Sequence, residues 1–362
     1  MSLTSVDAVT LLDQYNSFDT IIDARSEGEY ALDHLPGAVN WPTLDDAQRH
    51  AVGTTYKQVN AFEARKMGAA MAARNIASHI EHGAMAQPKS WRPLVYCWRG
   101  GQRSGSLSLI LDQIGFRVSI VQGGYKAFRA AMLVDTERLA GLFMYRVVCG
   151  TTGSGKTRLL HALARAGAQV LDLEGLAHHR SSVLGAIPGV PQPTQKAFDT
   201  RVWNALRQFD PDRPVFLESE SRKVGNVAVP VALMDAMRTQ GQCMNLVLPD
   251  HERVALLMED YDFFVRDAEA FCSRLDALTE IRGKAVVQAW QSAVRAGNLP
   301  DVVQELLNKH YDPVYQQSMQ RNFTHFADAP TLTPADRSAT AMDAVAADLV
   351  GGSVDAGAAL SN

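Results

Sequence analysis

The stretch at residues 93–104 is PLVYCWRGGQRS, and it decides how the first half of the chain is interpreted. The apolar run at 93–96 predicts a short buried strand, and the run at 105–114 predicts a helix. Cys97 therefore lies on a strand-to-helix turn. The two glycines that follow allow consecutive backbone N–H groups to point inward, and the helix adds its positive N-terminal end. Such a turn stabilises an anion.

Two arginines add full positive charges to this turn. Arg99 and Arg103, with the N–H groups, would stabilise the thiolate of Cys97 and raise its reactivity. The same loop would hold an oxyanion such as a phosphate or a sulfur or selenium oxyanion. A buried structural cysteine is the alternative, but arginines suit a core poorly. We interpret as catalytic Cys97, Arg99 and Arg103, and as binding the oxyanion Gly100, Gly101 and Gln102.

Length, composition and charge limit the classes of protein to consider. A chain of 362 residues, 46% of them apolar, predicts two globular domains, and it has no apolar run long enough to span a membrane. Its first residues lack the pattern of a secretory signal. Four separated cysteines without a CxxC pair indicate a reducing cytoplasm, without a disulfide framework or zinc site. At a net charge of −4, an RNA partner would need a local basic face.

Strands alternate with helices in the first half, which implies a parallel α/β sheet. This half resembles the rhodanese family. The matching pieces, in order, are DAR at 23–25, EY at 29–30, HLPGA at 34–38, the Cys97 loop and GGYKA at 123–127. The resemblance implies that Cys97 carries sulfur or selenium as a persulfide or its selenium equivalent.

The loop departs from the rhodanese pattern in its length. Arg103 follows Cys97 by six residues, where ordinary sulfurtransferase loops close after five. A wider loop resembles that of Cdc25-type phosphatases, although those usually have His where this chain has Tyr96. The wider loop favours a larger transferred atom or a bulkier oxyanion.

An insert at 44–87 separates the rhodanese pieces. Its predicted helix, at 61–82, carries Arg65, Lys66 and Arg74. These side chains form either a solvated helix face or part of a nucleic-acid or lipid pocket beside Cys97.

The second half opens with a predicted strand at 142–149, the loop GTTGSGKT at 150–157 and a predicted helix at 158–166. This is the GxxxxGK[ST] phosphate loop in its strand-loop-helix context. Its N–H groups would wrap a di- or triphosphate, while the lysine bridges phosphate oxygens and the threonine ligates Mg²⁺. The predicted diphosphate-binding residues are Gly150, Gly153, Ser154, Gly155, Lys156 and Thr157.

Carboxylates end the next two predicted strands. Asp172 and Glu174 end the strand at 169–174, and Glu218 ends the strand at 214–218. Carboxylates at such strand ends are the usual place for a metal ion or a base, and solvated loop charges are the alternative. The two strand cysteines, Cys149 and Cys243, are interpreted as core packing.

The predicted fold is α/β, with a rhodanese-like parallel domain followed by a P-loop NTPase-like domain with a helical C-terminal part. We place the rhodanese-like domain at 1–139 and the P-loop domain with its helical extension at 140–327. The remainder, 328–362, is an acidic, Ala-rich tail expected to be flexible, with one weak helix at 338–350.

Both halves together resemble the bacterial tRNA 2-selenouridine synthase family over residues 23–315. The added matches are AVGTTYKQ at 51–58, RGGQRS at 99–104, DLEGLA at 172–177 with HR at 179–180, ESESR at 218–222, and YDP at 311–313 with Tyr315. Ser181, where the family usually has Gly, is a small departure.

The resemblance implies a transferase that acts on the wobble 2-thiouridine in the anticodon loop of tRNA. It would geranylate the sulfur from geranyl diphosphate and then replace S-geranyl by selenium from selenophosphate, with Cys97 as the selenium carrier. It further implies that Arg180, Arg222 and Lys223 contact tRNA phosphates. Mg²⁺ could be held by Asp172, Glu174 or Glu218, and we expect no tightly bound cofactor, no membrane contact and a cytoplasmic location. A monomer is the working expectation, although the sequence leaves the oligomeric state open.

Three other functions remain open from the sequence. One is a rhodanese-type sulfurtransferase fused to a nucleotide-dependent kinase or switch domain. Another is a phosphatase of the Cdc25 type. The last is a scaffold that binds tRNA or a partner without turnover.

Overall fold

The computed structural model describes residues 3–180 and 185–358, with side chains described to residue 352. Ser181, the departure noted above, lies outside these residues. The chain divides into two compact units. Unit 1 comprises the residues up to Thr136 together with Pro193–Asn204, and unit 2 comprises Glu137–Gln192 and the residues from Ala205 onward.

The strands, in chain order, are β1 (Thr4–Val6), β2 (Thr20–Asp23), β3 (Ala38–Asn40), β4 (Pro93–Tyr96), β5 (Ser119–Val121), β6 (Tyr145–Cys149), β7 (Gln169–Leu171), β8 (Val215–Glu218), β9 (Lys223–Val224), β10 (Val227–Ala228), β11 (Gln242–Leu246) and β12 (Thr331–Leu332).

The α-helices are α1 (Ala8–Asp13), α2 (Glu27–Leu32), α3 (Asp46–Gln58), α4 (Ala61–His79), α5 (Gln102–Ile114), α6 (Gly124–Ala140), α7 (Lys156–Arg165), α8 (Leu173–Ala177), α9 (Gln195–Leu206), α10 (Val231–Thr239), α11 (Asp250–Asp260), α12 (Asp262–Arg266), α13 (Ala268–Leu275), α14 (Thr279–Arg282), α15 (Lys284–Arg295), α16 (Leu299–Leu306), α17 (Asp312–Asn322) and α18 (Ala339–Ala358). Turns of 3-10 helix lie at Tyr15–Ser17 and Asp276–Leu278, and π-helical turns lie at Ile80–Ala84 and Leu307–Tyr311.

Unit 1 is built on a parallel sheet with strand order β1-β5-β4-β2-β3. This confirms the predicted parallel α/β class for the first half. Strand β4 is central, and its four residues are all buried. Cys97 follows directly, at the carboxyl end of the sheet.

Residues 4–15 of unit 1 do not form one continuous helix. Instead Thr4–Val6 forms the edge strand β1, paired with β5. Helix α1 begins only after Asp7, whose side chain accepts hydrogen bonds from the N–H groups of Val9 and Thr10. That N-cap sets the helix start and leaves the preceding residues free to pair with the sheet.

The insert forms two helices, α3 and α4. Helix α4 buries Ile76 in the unit 1 core. Its basic residues Arg65, Lys66 and Arg74 are exposed, and Lys66 forms an ion pair with Glu63 at 2.7 Å. This arrangement favours the solvated-face interpretation of the basic residues.

A helix from far along the chain completes unit 1. The Trp203 ring of α9 is buried and lies 5.6 Å from the Tyr15 ring and 5.5 Å from the Phe128 ring, centroid to centroid. Its indole N–H donates to Asp135 at 2.8 Å. The predicted division at residue 139 therefore does not describe all of unit 1, because a later segment packs into its core.

Unit 2 contains a second parallel sheet, with strand order β12-β11-β6-β8-β7. Strand β6 is central and leads into the phosphate loop. Cys149 and Cys243 lie on adjacent strands and are buried, as predicted. None of the four cysteines forms a disulfide.

The C-terminal segment contains a helix where one was predicted, at 338–350, but it packs against unit 2 where we expected a flexible tail. Strand β12 pairs with β11, and α18 packs against α7. Met342 and Ala346, one helical turn apart, are fully buried in the core around Leu159 and Leu163. These small apolar contacts order the segment despite its acidic composition. None of the helices in the described ranges is long and apolar enough to cross a membrane.

Candidate active sites

Cys97 occupies the loop between β4 and α5, as predicted. Its side chain is buried, with 3% of its surface exposed. The Sγ atom accepts hydrogen bonds from the Gly101 N–H at 3.3 Å and from the Ser104 hydroxyl at 3.1 Å. Donors aimed at sulfur stabilise a thiolate. Ser104 was missed as a site residue, although its place in the matched RGGQRS stretch was a signal.

The backbone of this loop is held by the Gly123-Gly124 turn. The N–H groups of Tyr125 and Lys126 donate to the carbonyls of Cys97 at 2.8 Å and Trp98 at 3.1 Å. Gly124 has φ +60°, and a Cβ at that position would lie 2.2 Å from the Cys97 carbonyl oxygen. Only glycine allows the two segments to approach so closely, which gives a physical reason for the GGYKA match.

Arg103 is engaged by a carboxylate. Its guanidinium donates to Glu29 Oε2 at 2.5 Å and Oε1 at 3.3 Å. Burial acts to raise the pKa of Glu29, but the Arg103 guanidinium outweighs burial and holds that pKa below its usual range. Arg99 is exposed. The role of both arginines in binding an oxyanion stays a prediction.

Tyr96, which stands where a phosphatase loop has His, belongs to a buried polar network. Its hydroxyl donates to Asp23 at 2.7 Å. Arg25 donates to the same carboxylate at 2.6 Å and to the Asp33 carbonyl at 2.6 Å. Burial and the Asp23 charge raise the pKa of Tyr96. Tyr96 and the DAR match at 23–25 therefore support the ends of β2 and β4.

The phosphate loop lies between β6 and α7, as predicted. Gly150, Gly153 and Gly155 have φ values of +151°, +80° and +88°, which favour glycine. The Lys156 ammonium lies over the loop and donates to the Gly150 carbonyl at 2.7 Å. The buried Ser154 Oγ has no hydrogen-bond partner among the described residues. These groups suit an incoming phosphate.

Two long-range contacts hold this loop, and sequence reasoning assigned neither. The Gly150 N–H donates to the Tyr315 hydroxyl at 2.6 Å. The buried Arg253 donates to the Thr152 carbonyl at 2.8 Å and to Asp312 at 2.6 Å. The matched YDP and Tyr315 are the sequence signal, since Asp312 and Tyr315 both serve the loop.

The predicted metal-binding carboxylates are only partly brought together. Asp172 caps α8 by accepting from the Gly175 N–H at 2.7 Å. Glu174 therefore lies in the first turn of α8, not at the end of a strand, which corrects the predicted strand at 169–174. Glu174 Oε2 accepts a hydrogen bond from the Thr157 hydroxyl at 3.2 Å. The backbone N–H of Glu174 donates to the Glu218 carboxylate at 2.9 Å.

Glu174 and Glu218 form an acidic pair in which Glu218 is buried and Glu174 is partly buried. Burial, reinforced by the charge of Glu220, raises the pKa of Glu174 to about 8. Burial and the charge of Glu174 raise the pKa of Glu218 in the same way. Both carboxyls therefore favour the protonated form more than an exposed carboxyl does. Glu220 was not predicted as a site residue.

Mg²⁺ was an expected ion at this position. Among the described residues, no group of three or more His, Cys, Asp or Glu side chains is arranged to hold a metal. The Thr157 hydroxyl and Glu174 carboxylate nevertheless lie together, and Glu218 Oε2 is buried without a partner in the described part of the chain. These oxygens fit a hard cation that arrives with a phosphate supplying further ligands.

A cavity of about 350 Å³ opens onto the phosphate loop. Arg180 lines it, with its guanidinium 4.6 Å from the centroid of the Tyr261 ring and a hydrogen bond to the Asp260 carbonyl. Arg222 and Lys223 do not line it and are exposed near the β9–β10 hairpin. The three residues predicted to contact tRNA are thus not gathered at one place within unit 2.

Two family models match the chain. Residues 7–131 match the rhodanese-like domain, and residues 143–282 match the tRNA 2-selenouridine synthase AAA domain. The tRNA 2-selenouridine synthase of Hydrogenovibrio crunogenus is 31% identical over 83% of this chain and 89% of its own length. The chain belongs to the tRNA 2-selenouridine synthase family. The synthase of Shewanella denitrificans is also 31% identical, over 83% of this chain and 88% of its own length.

A further member of the tRNA 2-selenouridine synthase family, from Nitrosomonas europaea, is 35% identical over 67% of this chain and 63% of its own length. Membership confirms the resemblance drawn from the motifs and the two-part α/β fold. The tRNA 2-selenouridine synthase AAA model covers the phosphate loop, the acidic pair and Arg253. The rhodanese-like model covers Cys97 and the glycine turn that supports it.

Proposed function

We propose that the chain is an enzyme that converts the wobble 2-thiouridine of tRNA into 2-selenouridine in two steps. Geranyl diphosphate first alkylates the sulfur, and selenium from selenophosphate then replaces S-geranyl. The observation that carries the proposal is that one chain has two different anion sites. One presents a thiol to N–H and hydroxyl donors, and the other is a phosphate loop with an acidic pair.

The first step is assigned to the phosphate loop. Lys156, Ser154 and the loop N–H groups hold the diphosphate of geranyl diphosphate. The thiocarbonyl sulfur attacks C1 of the geranyl group, the C1–O electron pair leaves with diphosphate, and the uridine N3 proton is lost. Charge that develops on the leaving diphosphate is stabilised by preorganised donors. Mg²⁺, held by Thr157 and Glu174, would supply further positive charge.

The second step is assigned to the Cys97 loop. A thiocarbonyl sulfur leaves poorly, whereas an S-alkylated sulfur leaves as a thiol, so the first step prepares the second. The Cys97 thiolate attacks the selenium of selenophosphate, and the P–Se electron pair leaves with phosphorus as phosphite, so that Cys97 carries a selenylsulfide. The outer selenium then attacks C2 of the base, and the C2–S electron pair leaves with geranylthiol. Release of selenium from a Cys97 selenylsulfide then requires a thiol reductant. The Gly101 N–H and the Ser104 hydroxyl donate to the sulfur that would carry the selenium.

Recognition of the tRNA follows from the position of the base. An anticodon wobble base is unpaired, so extruding it into a site costs little. Exposed basic residues such as Arg222 and Lys223 would contact phosphates, and tRNA affinity should then fall steeply as salt is raised.

The test is mass spectrometry of nucleosides from tRNA that carries 2-thiouridine. With enzyme and geranyl diphosphate, S-geranyl-2-thiouridine should accumulate, and adding selenophosphate with a thiol reductant should convert it to 2-selenouridine. Steady hydrolysis of ATP or GTP without tRNA, and no modified nucleoside, would instead support a sulfurtransferase fused to a nucleotide-dependent switch.

A further inference from the structure

A second cavity, with apolar walls, adjoins the phosphate-loop cavity in unit 2. Both cavities are lined by Thr152, Leu257, Tyr261 and Tyr311, so these residues mark where they meet. The second cavity extends from there between helices α11, α12, α13 and α16. Its further walls include Met258, Phe264, Phe271, Leu299, Val303 and Leu306.

The walls of this second cavity suit a hydrocarbon and not a nucleotide base. A base is recognised by amide, carboxylate or backbone groups placed to meet its polar edge. The side chains around this cavity are aliphatic and aromatic, and the polar ones, Thr152, Tyr261 and Tyr311, lie where it meets the phosphate loop. A molecule that fills both cavities therefore has a phosphorylated head and an apolar tail.

The wall formed by residues that line only the second cavity is packed into a core. The Phe264 and Phe271 rings are 5.2 Å apart, centroid to centroid, and both are buried, with 5% and 4% of their surface exposed. They belong to a core cluster that includes Leu275 and Trp290. A wall packed into a core limits the length of a tail that enters from the phosphate loop. Val303 on α16 is only partly buried, so its side chain can be enlarged from the cavity side.

We propose that this cavity binds the hydrocarbon tail of an isoprenoid diphosphate whose head is on the phosphate loop, and that Phe271 and Val303 set the tail length. The inference rests on the proposed function, because it assigns the tail of the same substrate. It adds the residues that select chain length, which lie outside the phosphate loop and the acidic pair.

Calorimetric titration of the full chain with inorganic diphosphate, dimethylallyl diphosphate and geranyl diphosphate tests this assignment. Burial of a ten-carbon tail should make geranyl diphosphate bind about 100-fold more tightly than inorganic diphosphate. Val303→Trp fills the cavity. It should weaken geranyl diphosphate binding at least about 10-fold and leave inorganic diphosphate binding unchanged. Val286→Trp adds the same side chain at an exposed position on α15 and should change neither affinity.

Two results would overturn the tail assignment. One is equal affinity of the wild type for geranyl diphosphate and inorganic diphosphate. The other is an unchanged preference in Val303→Trp, or in the milder Val303→Phe if the tryptophan variant does not fold. If tRNA is geranylated while Val303 variants keep the wild-type preference, the tail assignment fails and the proposed function stands. If the tail binds but tRNA is never alkylated, the proposed function fails and the tail site stands.

Discussion

The Cys97 loop and the phosphate loop use the same backbone device for different purposes. Each follows the central strand of a parallel sheet, has at least one glycine with positive φ and leads into a helix. In the Cys97 loop the donors converge on a sulfur that belongs to the chain, and Arg103 is already paired with Glu29. In the phosphate loop the buried Ser154 Oγ has no hydrogen-bond partner among the described residues. The Lys156 ammonium donates hydrogen bonds to the loop carbonyls of Gly150 and Thr151.

The difference shows that local backbone geometry creates an anion site without deciding which anion it holds. The thiol of the first loop is covalently part of the protein, as the proposed carrier role requires. The second loop supplies the Lys156 ammonium and backbone N–H groups, and its anion must come from solution. The predictions below test this division between a carrier and a receptor.

The largest expected effects come from removing the defining side chain of each loop. Cys97→Ser should lower the rate of selenation about 10³-fold or more and leave the rate of geranylation unchanged. Lys156→Ala should abolish geranylation, because the diphosphate loses the lysine cation. Selenation of tRNA that has already been geranylated chemically should persist in this variant. Nucleoside mass spectrometry measures both steps. A Cys97→Ser protein that still selenates tRNA would exclude Cys97 as the carrier.

The next effect concerns the stability of the unit that holds the carrier. Trp203→Ala removes a buried ring that packs on Tyr15 and Phe128, and it should lower the free energy of unfolding by about 3–5 kcal/mol. Denaturant titration of the full chain measures the loss. Val134→Ala, at a position 69% exposed, is the control and should cost less than about 0.5 kcal/mol. Equal stability of the two variants would show that α9 is not part of the folded unit.

A smaller effect is expected from one donor to the carrier sulfur. Ser104→Ala removes the 3.1 Å hydrogen bond to Cys97 Sγ and should slow selenation about 10-fold, with geranylation unchanged. Ser106→Ala is the matched control, because its hydroxyl bonds to backbone carbonyls of the same helix. If both variants selenate at the wild-type rate, the hydroxyl does not activate the thiol.

The smallest effect is a pH dependence confined to the receptor unit. The pKa of Glu174 is raised to about 8, from an ordinary value of 4.5, by burial and by Glu220. Its contribution to stability is therefore complete below pH 4.5 and is lost as pH rises through 8. Without added Mg²⁺, Glu174→Gln should raise the melting temperature at pH 9 by about 2–4 °C over the wild type. The same gain at pH 4 would contradict this assignment.

The parts predicted from sequence were those that short patterns determine. The strand at 93–96 and the loop at 150–157 were predicted correctly, because an apolar run, glycines and a following helix lie within a dozen residues. What was missed depends on distant partners. Tyr315 reaches Gly150 across 165 positions, and Arg253 reaches Thr152 across 101. No local pattern contains such contacts.

Two predicted elements, the strand at 169–174 and the flexible tail, were wrong because short patterns were misleading there. Glu174 was placed at a strand end because Val170, Leu171 and Leu173 continue an apolar run, but Asp172 accepts a hydrogen bond from Gly175 and starts a helix there. The tail was expected to be flexible from its acidic composition. Met342 and Ala346 show that two apolar residues one turn apart outweigh composition when they meet a core.

The segment at Pro193–Asn204 has a consequence for how the polypeptide is made. Synthesis runs from the N-terminus, and unit 1 cannot close its core around Tyr15 and Phe128 until Trp203 has left the ribosome. By then the phosphate loop at 150–157 has already emerged. The unit that contains Cys97 thus finishes folding only in chains that already contain the phosphate loop, and a prematurely terminated product would carry this unit without its last helix.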